Sequence, residues 1–538
     1  MVSAEEQEFD IIIVGAGSAG CVLANRLSER EDLRILLLEA GKPDNWIWYK
    51  IPVGYLFAIG NPKSDWMYRT EPQPGLNGRD LAYPRGKTLG GSSAINAMIS
   101  MRGQREDYES WKALGLTDWG WEDVLPAFRR IEDHFLGDSE HHGTGGEMRV
   151  EFPRVGWTIL DALRDAAEDM GIPKTDDFNT GDNTGSGYFH VNQKAGTRWS
   201  AARGFLKPVQ KRRNLKIETG ILTHSLVMEG DRVTGVRVNE SDGKRVIKAR
   251  AGVVLAAGSI GSVQILNRSG IGPAEHLKKA GIWPRIDQQQ VGRNLQDHLQ
   301  QRAIYKVSGV PTLNTRYHSL FGKAAMGLDY ALFRKGPLTM APSQVGIFTK
   351  TDERQHRPDL QFHLQPLSLD KFGDPLHTFD AVTVSACNLR PTSRGEIYVT
   401  TPSARDAPYI SPNYLSTDED KAVAAKAIRV TRQLMSQAAL ACYGPEEYLP
   451  GPSVSDDQAE LEKAAGDIGT TIFHPVGTIA MGADETAPLD QRFRFRGLEG
   501  LRVIDASAMP LITSGNTNTP TIMMADRGAR MMLEDLKA

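Results

Sequence analysis

Several features that mark whole classes of protein are scarce in this chain of 538 residues. Only three cysteines occur, Cys21, Cys387 and Cys442, and none belongs to a CxxC pair. This argues against a disulfide framework, a cysteine-based metal site and a thiol–disulfide reductase, and we predict no metal. The net charge is only −3, with the two signs mixed along the chain. We therefore expect no nucleic-acid partner.

Long apolar runs are also lacking. No stretch approaches 18 consecutive apolar residues, which argues against a transmembrane helix. The first residues, MVSAEEQEF, have neither the basic start nor the apolar core of a secretory signal, so we expect a cytoplasmic location. Peripheral contact with a membrane stays open on this evidence.

What the chain does contain is a recurring pattern of buried strand, glycine turn and helix. Residues 10–14 are apolar and β-branched, residues 18–28 have helical spacing, and residues 34–38 are a second strand candidate. Such a βαβ unit predicts two parallel, buried strands. The pattern recurs at residues 249–272. Between about 306 and 464, alternating stretches separated by Pro and Gly are typical of an antiparallel sheet.

The first turn, GAGSAG, matches the GxGxxG pattern through Gly15, Gly17 and Gly20. The pattern requires a tight turn at the first glycine, close approach of a pyrophosphate at the second and close helix packing at the third, although glycine-rich turns without a ligand are common. Glu39 ends the second strand 19 residues beyond Gly20, near the place of an acid that binds ribose hydroxyls. A dinucleotide is therefore predicted, and the carboxylate disfavours NADP. FAD is favoured over NAD because no second motif of this kind could hold a nicotinamide cofactor.

Further motifs follow in order along the chain. They are GKTLGGSSAIN at 86–96, AAGSIGSVQILNRSGIG at 256–272, VGRNLQDH at 291–298, HPVGT at 474–478, VIDASAMP at 503–510 and GNTNTPT at 515–521. With the opening turn, these motifs make the sequence similar over nearly its whole length to the glucose-methanol-choline (GMC) flavoprotein oxidoreductases. Within that family it resembles the bacterial alcohol dehydrogenases of the choline-dehydrogenase-like branch.

This resemblance implies an α/β fold, in which a Rossmann-type FAD-binding domain carries an inserted α+β substrate domain built on an antiparallel sheet. The FAD-binding domain is predicted at residues 1–155, 199–305 and 465–538. The substrate domain is predicted at residues 156–198 and 306–464.

The resemblance also implies which residues contact FAD. Those expected at the cofactor are Gly15, Gly17, Ser18, Ala19, Gly20, Glu39, Ala40, Leu89, Gly91, Ser92, Asn96, Ala97, Thr223, Asp505, Ala506, Asn516 and Thr517. Some family members tether the flavin through a histidine just before the asparagine that matches Asn96, whereas here Ile95 precedes it. An isoleucine side chain cannot form that bond, so we expect FAD to be held noncovalently.

Hydride transfer from an alcohol carbon to a flavin requires a base for the hydroxyl proton. Histidine suits this task near neutral pH. In similar enzymes the histidine that matches His474, in TIFHPVGT, is the base beside the flavin. A second residue, His or Asn, is expected 44 positions on, at Asn518. Its amide cannot act as a base, but it can donate a hydrogen bond to the substrate oxygen and so orient the substrate.

Two residues are expected to contact the substrate. Phe473 would form an aromatic wall, although a plain core position suits it almost as well. Choline-specific members carry a glutamate that balances the ammonium group, and Gln344 is taken as the matching position. Because an amide does not offset the desolvation of a cation, choline is disfavoured. Residues 319–336 have helical spacing, which suits a lid or plain packing best, and also a partner-binding helix or an interfacial membrane anchor.

The leading hypothesis is an FAD-dependent oxidation of a primary alcohol to an aldehyde, with oxygen or a quinone or other carrier as electron acceptor. The alternative is a lyase of the same fold family, which cleaves cyanohydrins without net redox change. Reduction of the flavin by an alcohol would separate the two.

Overall fold

The computed structural model describes residues 8–240, 243–371 and 373–537. One layer is a mixed seven-stranded sheet with parallel central strands. Glu8–Val14 lies between Ile35–Glu39 and Gly243–Leu255 and is parallel to both, so the predicted βαβ unit is confirmed. The remaining strands are Leu215–Thr219, Leu222–Glu229, Arg232–Glu240 and Leu501–Val503.

Burial explains the composition of the central strands. Ile12, Ile13 and Leu37 have no exposed surface, as expected for parallel strands that are covered on both faces. Helix Ser18–Leu27 follows the first strand and packs along the C-terminal helix Asn518–Asp535. Both helices begin at the carboxyl end of the parallel strands, which is the edge where α/β sheets bind ligands.

The second layer is a seven-stranded sheet in which every pairing is antiparallel. Its strands are Gly185–Tyr188, Leu299–Lys306, Val345–Thr349, Leu360–Gln365, Ala381–Asn388, Glu446–Leu449 and Gly469–Thr471. The predicted antiparallel sheet, and with it the predicted fold class, is confirmed. The predicted boundary between residues 305 and 306 falls within Leu299–Lys306, and the domain limits stay a prediction.

Further α-helices surround the two sheets. They are Tyr55–Ala58, Arg105–Ala113, Trp121–Ile131, Thr158–Asp169, Lys207–Val209, Gly258–Arg268, Ala274–Lys279, Leu313–His318, Leu320–Phe333, Asp418–Met435 and Gln458–Ile468. Thr158–Asp169 and Asp418–Met435 pack against the antiparallel sheet and contribute to its apolar core.

Helix Leu320–Phe333 is unusual because most of its apolar side chains face solvent. Leu320 is 84% exposed and Leu332 is 63% exposed, whereas Met326 and Tyr330 are buried against the protein. We call this the apolar helix. No helix in the described part of the chain, the apolar helix included, is long and apolar enough to cross a membrane.

A buried row of charged groups lies outside both sheets. His142 is held between two carboxylates, with Nδ1 2.8 Å from Oε2 of Glu132 and Nε2 2.7 Å from Oδ2 of Asp177. Burial alone would lower the pKa of His142, but its hydrogen bonds to Asp177 and Glu132 outweigh burial and raise the pKa to about 9.

Candidate active site

A large cavity begins at the carboxyl ends of the parallel strands and reaches the face of the antiparallel sheet. It encloses about 2070 Å³, part of which is open to solvent. Gly15 and Glu39 line one end, and Gln300 and His363 line the other. Its lining, from the glycine turn to the antiparallel sheet, suits a dinucleotide with a small substrate beyond it.

The glycine turn forms the wall at the first end. A Cβ atom on Gly15 would lie 2.6 Å from the carbonyl oxygen of Ala256, and one on Gly20 would lie 1.8 Å from the carbonyl oxygen of Gly15. A Cβ atom on Gly17 would meet nothing nearer than the Ala256 oxygen, at 4.0 Å. Gly17 also begins the helix with no side-chain cap, so the free N–H groups there are available to a pyrophosphate.

Two polar side chains at this end fit the ribose and base of an adenosine. The carboxylate of Glu39 accepts hydrogen bonds from the N–H groups of Ala16 and Gly41, at 2.9 and 2.7 Å. Burial raises the pKa of Glu39 to about 7. Thr223 lines the cavity, and its buried Oγ1 has no hydrogen-bond partner within the described ranges, which leaves it free for a ligand.

Asp505 lies between the nucleotide end and the reactive end. Its Oδ2 accepts hydrogen bonds from Gly258 N and Ser262 Oγ at 2.9 and 2.7 Å, and burial raises the pKa of its carboxyl. Ile95 also lines the cavity, and its hydrocarbon side chain offers no atom for covalent attachment.

The proposed base, His474, is held through a strained backbone. Phe473 before it has φ of +71°, a conformation that costs a non-glycine residue roughly 1–3 kcal/mol. Three hydrogen bonds hold this segment: Phe473 N donates to Thr471 Oγ1, Arg85 Nη2 donates to Phe473 O, and His474 N donates to Asp297 Oδ1, each at 2.7 Å. The backbone therefore fixes where the imidazole ring stands.

Each ring nitrogen of His474 faces a different group. Nδ1 is 3.0 Å from Nδ1 of His298, and Nε2 is 3.1 Å from Nδ2 of Asn516. Burial, followed by the charges that His298, His363 and Arg85 can carry, lowers the pKa of His474 well below its ordinary value. The ring is therefore neutral at neutral pH and able to accept a proton.

Asn518, the expected partner of the base, lines the same cavity, and its buried Nδ2 has no hydrogen-bond partner within the described ranges. The Oδ1 atom of Asn518 accepts a hydrogen bond of 2.7 Å from Ser18 Oγ, at the start of the first helix. Asn518 is itself the first residue of the C-terminal helix, whereas Asn516 lies in the preceding loop and reaches His474. The structure thus brings Asn516 into contact with His474, and the role expected of Asn518 stays a prediction.

Most of the expected cofactor residues line the cavity. Those that do so are Gly15, Gly17, Ser18, Ala19, Glu39, Ala40, Gly91, Ser92, Asn96, Ala97, Thr223, Asp505, Ala506, Asn516 and Thr517. Gly20 and Leu89 are not among the lining residues. Gly20 instead allows the helix to approach the first turn, and Leu89 packs against the core of the parallel sheet.

Of the two residues expected to contact the substrate, one lines the cavity and the other does not. Phe473 lines the cavity beside the base, whereas Gln344 does not line it and its neighbour Ser343 does. The amide of Gln344 is buried, and neither its nitrogen nor its oxygen has a hydrogen-bond partner within the described ranges. Adjacent residues of an extended chain point to opposite sides, which explains the difference.

Four residues that the sequence reasoning missed form a polar wall at the same end of the cavity as the base. Gln300, Ser343, His363 and Gln365 all line the cavity, and Gln365 Nε2 donates to Ser343 Oγ at 3.1 Å. Burial lowers the pKa of His363 to about 3, so this ring is uncharged. The strand in DLQFHLQP was predicted. Because successive side chains of a strand point to opposite faces, His363 and Gln365 share one face, and this alternation could have identified them as a pair.

The fold and the cavity together define a flavin-dependent oxidoreductase, and comparison with known proteins agrees. The family model described as GMC oxidoreductase matches residues 9–300, and a second of the same description matches residues 391–525. The chain therefore belongs to the GMC oxidoreductase family, and its cofactor is FAD.

Named relatives match nearly the whole chain. An alcohol dehydrogenase [acceptor] of Pseudomonas putida is 38% identical over 529 residues, which cover 98% of this chain and 96% of the relative. An oxygen-dependent choline dehydrogenase of Vibrio vulnificus is 36% identical over 532 residues, with coverage of 98% and 95%. Among solved structures, pyridoxine 4-oxidase from Mesorbium loti is 32% identical, with a TM-score of 0.88 and coverage of 97% and 98%. The chain is thus an alcohol or choline oxidoreductase of this family.

Proposed function

We propose that the protein oxidises an uncharged primary alcohol to the aldehyde. The observation that carries the proposal is the neutral imidazole of His474, which lines the cavity beside the amide of Asn516. When bound, FAD accepts the hydride from the carbinol carbon.

The protein's own residues supply the proton transfer and the orientation. Nε2 of His474 takes the hydroxyl proton, and its depressed pKa keeps it unprotonated before the substrate arrives. The Nδ2 group of Asn516 donates a hydrogen bond to the substrate oxygen, in the role first given to Asn518. Phe473 and the polar wall close the cavity around the alcohol and exclude water.

The charges in the cavity favour an uncharged substrate over choline. The acidic residues among its described lining are Glu39, at the nucleotide end, and Asp505, between that end and the reactive end, and both accept hydrogen bonds from backbone N–H groups. The polar wall offers only amides, a hydroxyl and a neutral imidazole. A quaternary ammonium group there would lose its hydration without gaining a counter-ion.

Anaerobic mixing of the holoenzyme with alcohols tests this function. Neutral aliphatic and benzylic primary alcohols should bleach the flavin absorbance, and choline should bleach it far more slowly. Bleaching by choline at the same rate would refute the substrate class, and absence of bleaching with every alcohol would favour the lyase. Hydrogen peroxide formed during turnover in air would identify oxygen as the acceptor, whereas turnover only with a quinone or dye would identify a carrier.

We also propose that the apolar helix attaches this cytoplasmic protein to an anionic membrane surface. Leu320, Phe321, Leu328 and Leu332 are each more than half exposed, so they cover no core within the described part of the chain. Cationic side chains flank them along residues 316–335, whereas the helix itself carries a single acid, Asp329. This pattern suits an interfacial helix on anionic lipid.

Vesicle sedimentation tests the attachment. The protein should pellet with vesicles containing phosphatidylglycerol and less with neutral phosphatidylcholine vesicles. Replacing Leu320, Leu328 and Leu332 by Ser should abolish pelleting. Leu136→Ser is a matched control, because Leu136 is 74% exposed elsewhere on the surface. Equal pelleting of the triple variant would refute the proposal.

A further inference from the structure

The proposed function gives no role to His298, the last residue of VGRNLQDH. It is fully buried, and both of its ring nitrogens have partners. Nε2 lies 3.1 Å from the carbonyl oxygen of Leu389, and Nδ1 lies 3.0 Å from Nδ1 of His474. His298 thus connects a backbone carbonyl to the proposed base.

The chemistry of these contacts decides where each proton lies. A carbonyl oxygen only accepts hydrogen bonds, so Nε2 of His298 must carry a hydrogen. Burial lowers the pKa of His298, so the ring is neutral and its Nδ1 is a bare acceptor. The facing Nδ1 of His474 must then be the donor. A neutral His474 with its hydrogen on Nδ1 has its lone pair on Nε2, the nitrogen beside Asn516.

We propose that His298 is a positioning residue, which selects the tautomer of His474 that leaves Nε2 free to take the alcohol proton. The proposal rests on the proposed function of His474. Leu389 O sets the tautomer of His298, and His298 in turn sets that of His474. After proton transfer, Nδ1 of His474 keeps its hydrogen bond to His298, so the imidazolium retains one partner.

The carboxylate of Asp297, the residue before His298, is occupied by other hydrogen bonds. Oδ1 of Asp297 accepts from the backbone N–H of His474. Its Oδ2 accepts from three hydroxyl groups, those of Tyr83, Tyr414 and Thr471. Asp297 therefore holds the backbone of the base, whereas His298 controls its ring.

Two substitutions separate this role from plain packing. His298→Phe keeps a ring of similar size but removes the acceptor. His298→Asn places a carbonyl oxygen near the position of Nδ1, where it can accept from His474. We expect the rate of anaerobic flavin reduction at saturating alcohol to fall about 10²-fold in His298→Phe, less than the roughly 10⁴-fold known for loss of a charged orienting partner. His298→Asn should recover to within about tenfold of the parent rate.

A spectroscopic measurement reads the tautomer directly. With ¹⁵N-labelled histidine in the holoenzyme, the signal absent from a His474→Gln variant identifies His474. Its hydrogen should lie on Nδ1 in the parent and in His298→Asn, and should be shared between both nitrogens in His298→Phe. A His474 hydrogen on Nε2 in the parent would overturn the proposal.

The remaining outcomes distinguish failure of this proposal from failure of the proposed function. If His298→Phe reduces flavin at the parent rate while His474→Ala does not, the tautomer proposal fails and the proposed base stands. If His474→Ala is also fully active, the proposed function itself fails. If both His298 variants lose rate, FAD and thermal stability equally, His298 is a packing residue and the proposal is wrong.

Discussion

Alanine substitution at two glycines of the first turn should affect different properties: FAD affinity at Gly17 and fold stability at Gly20. Gly17→Ala adds a methyl group that meets no protein atom nearer than 4.0 Å, at an ordinary φ of −74°. The loss of chain entropy in the unfolded state stabilises the fold by about 0.4–1 kcal/mol, and a poorer helix cap costs a similar amount. The free energy of unfolding of the apoprotein should therefore change by less than about 1 kcal/mol.

The cost of Gly17→Ala should appear in cofactor affinity. The methyl group occupies the space through which a pyrophosphate reaches the backbone N–H groups. Losing one charge-assisted hydrogen bond costs about 1.5–3 kcal/mol, which weakens FAD binding by about 10- to 150-fold. Gly20→Ala is the control, because its Cβ would lie 1.8 Å from the Gly15 carbonyl oxygen. That overlap should destabilise the apoprotein by about 3 kcal/mol.

Urea denaturation of the apoproteins and quenching of FAD fluorescence on binding measure the two effects. The expected pattern is a stable Gly17→Ala that binds FAD weakly and an unstable Gly20→Ala. A Gly17→Ala variant that binds FAD as tightly as the parent would refute the assignment of the turn to the pyrophosphate.

Three further predictions concern the base His474, the two nearby asparagines, and the buried His142 that lies between two carboxylates. His474→Ala should retain FAD and its fold but lose about 10²- to 10⁴-fold in the rate of flavin reduction, and stopped-flow absorbance measures this. Asn516→Ala should lower that rate by at least about tenfold, whereas Asn518→Ala should lower it less; equal rates in the two variants would contradict the placement of Asn516. The raised pKa of His142 contributes stability that is complete below about pH 6.5 and is lost as pH rises towards 9. His142→Gln should therefore lower the free energy of unfolding by about 1–3 kcal/mol at pH 6 and by much less above pH 9, as measured by denaturation at both values.

The nucleotide end of the site could be predicted from sequence because its chemistry is local. The turn from Gly15 to Gly20 and the acid at Glu39 are tied to one βαβ unit, and their spacing follows from strand and helix geometry. The parallel strands and the antiparallel sheet were also predictable from local sequence, because the spacing of apolar residues along the chain indicates which side chains are buried.

The reactive end was harder to predict because distant segments build it. His474 was selected through its motif. Its contacts depend on where the loop ends and the C-terminal helix begins: a fixed count selects Asn518, whereas the asparagine in contact with His474 is Asn516. The polar wall comes from two separate strands and the loop before a third, and which of their side chains face the cavity depends on a register that only tertiary packing fixes. Gln344 was chosen without that register, and Ser343 beside it faces the cavity.

The hydrogen bonds of Asp297 have a consequence for altering this enzyme. They attach the backbone of His474 to hydroxyl groups in neighbouring segments, whereas His363 and Gln365 lie on strand Leu360–Gln365 and take no part in these hydrogen bonds. The backbone of the base is thus held without hydrogen bonds from His363 or Gln365. Libraries confined to His363 and Gln365 can therefore change the lining of the cavity while the hydrogen bonds that hold the backbone of His474 stay intact.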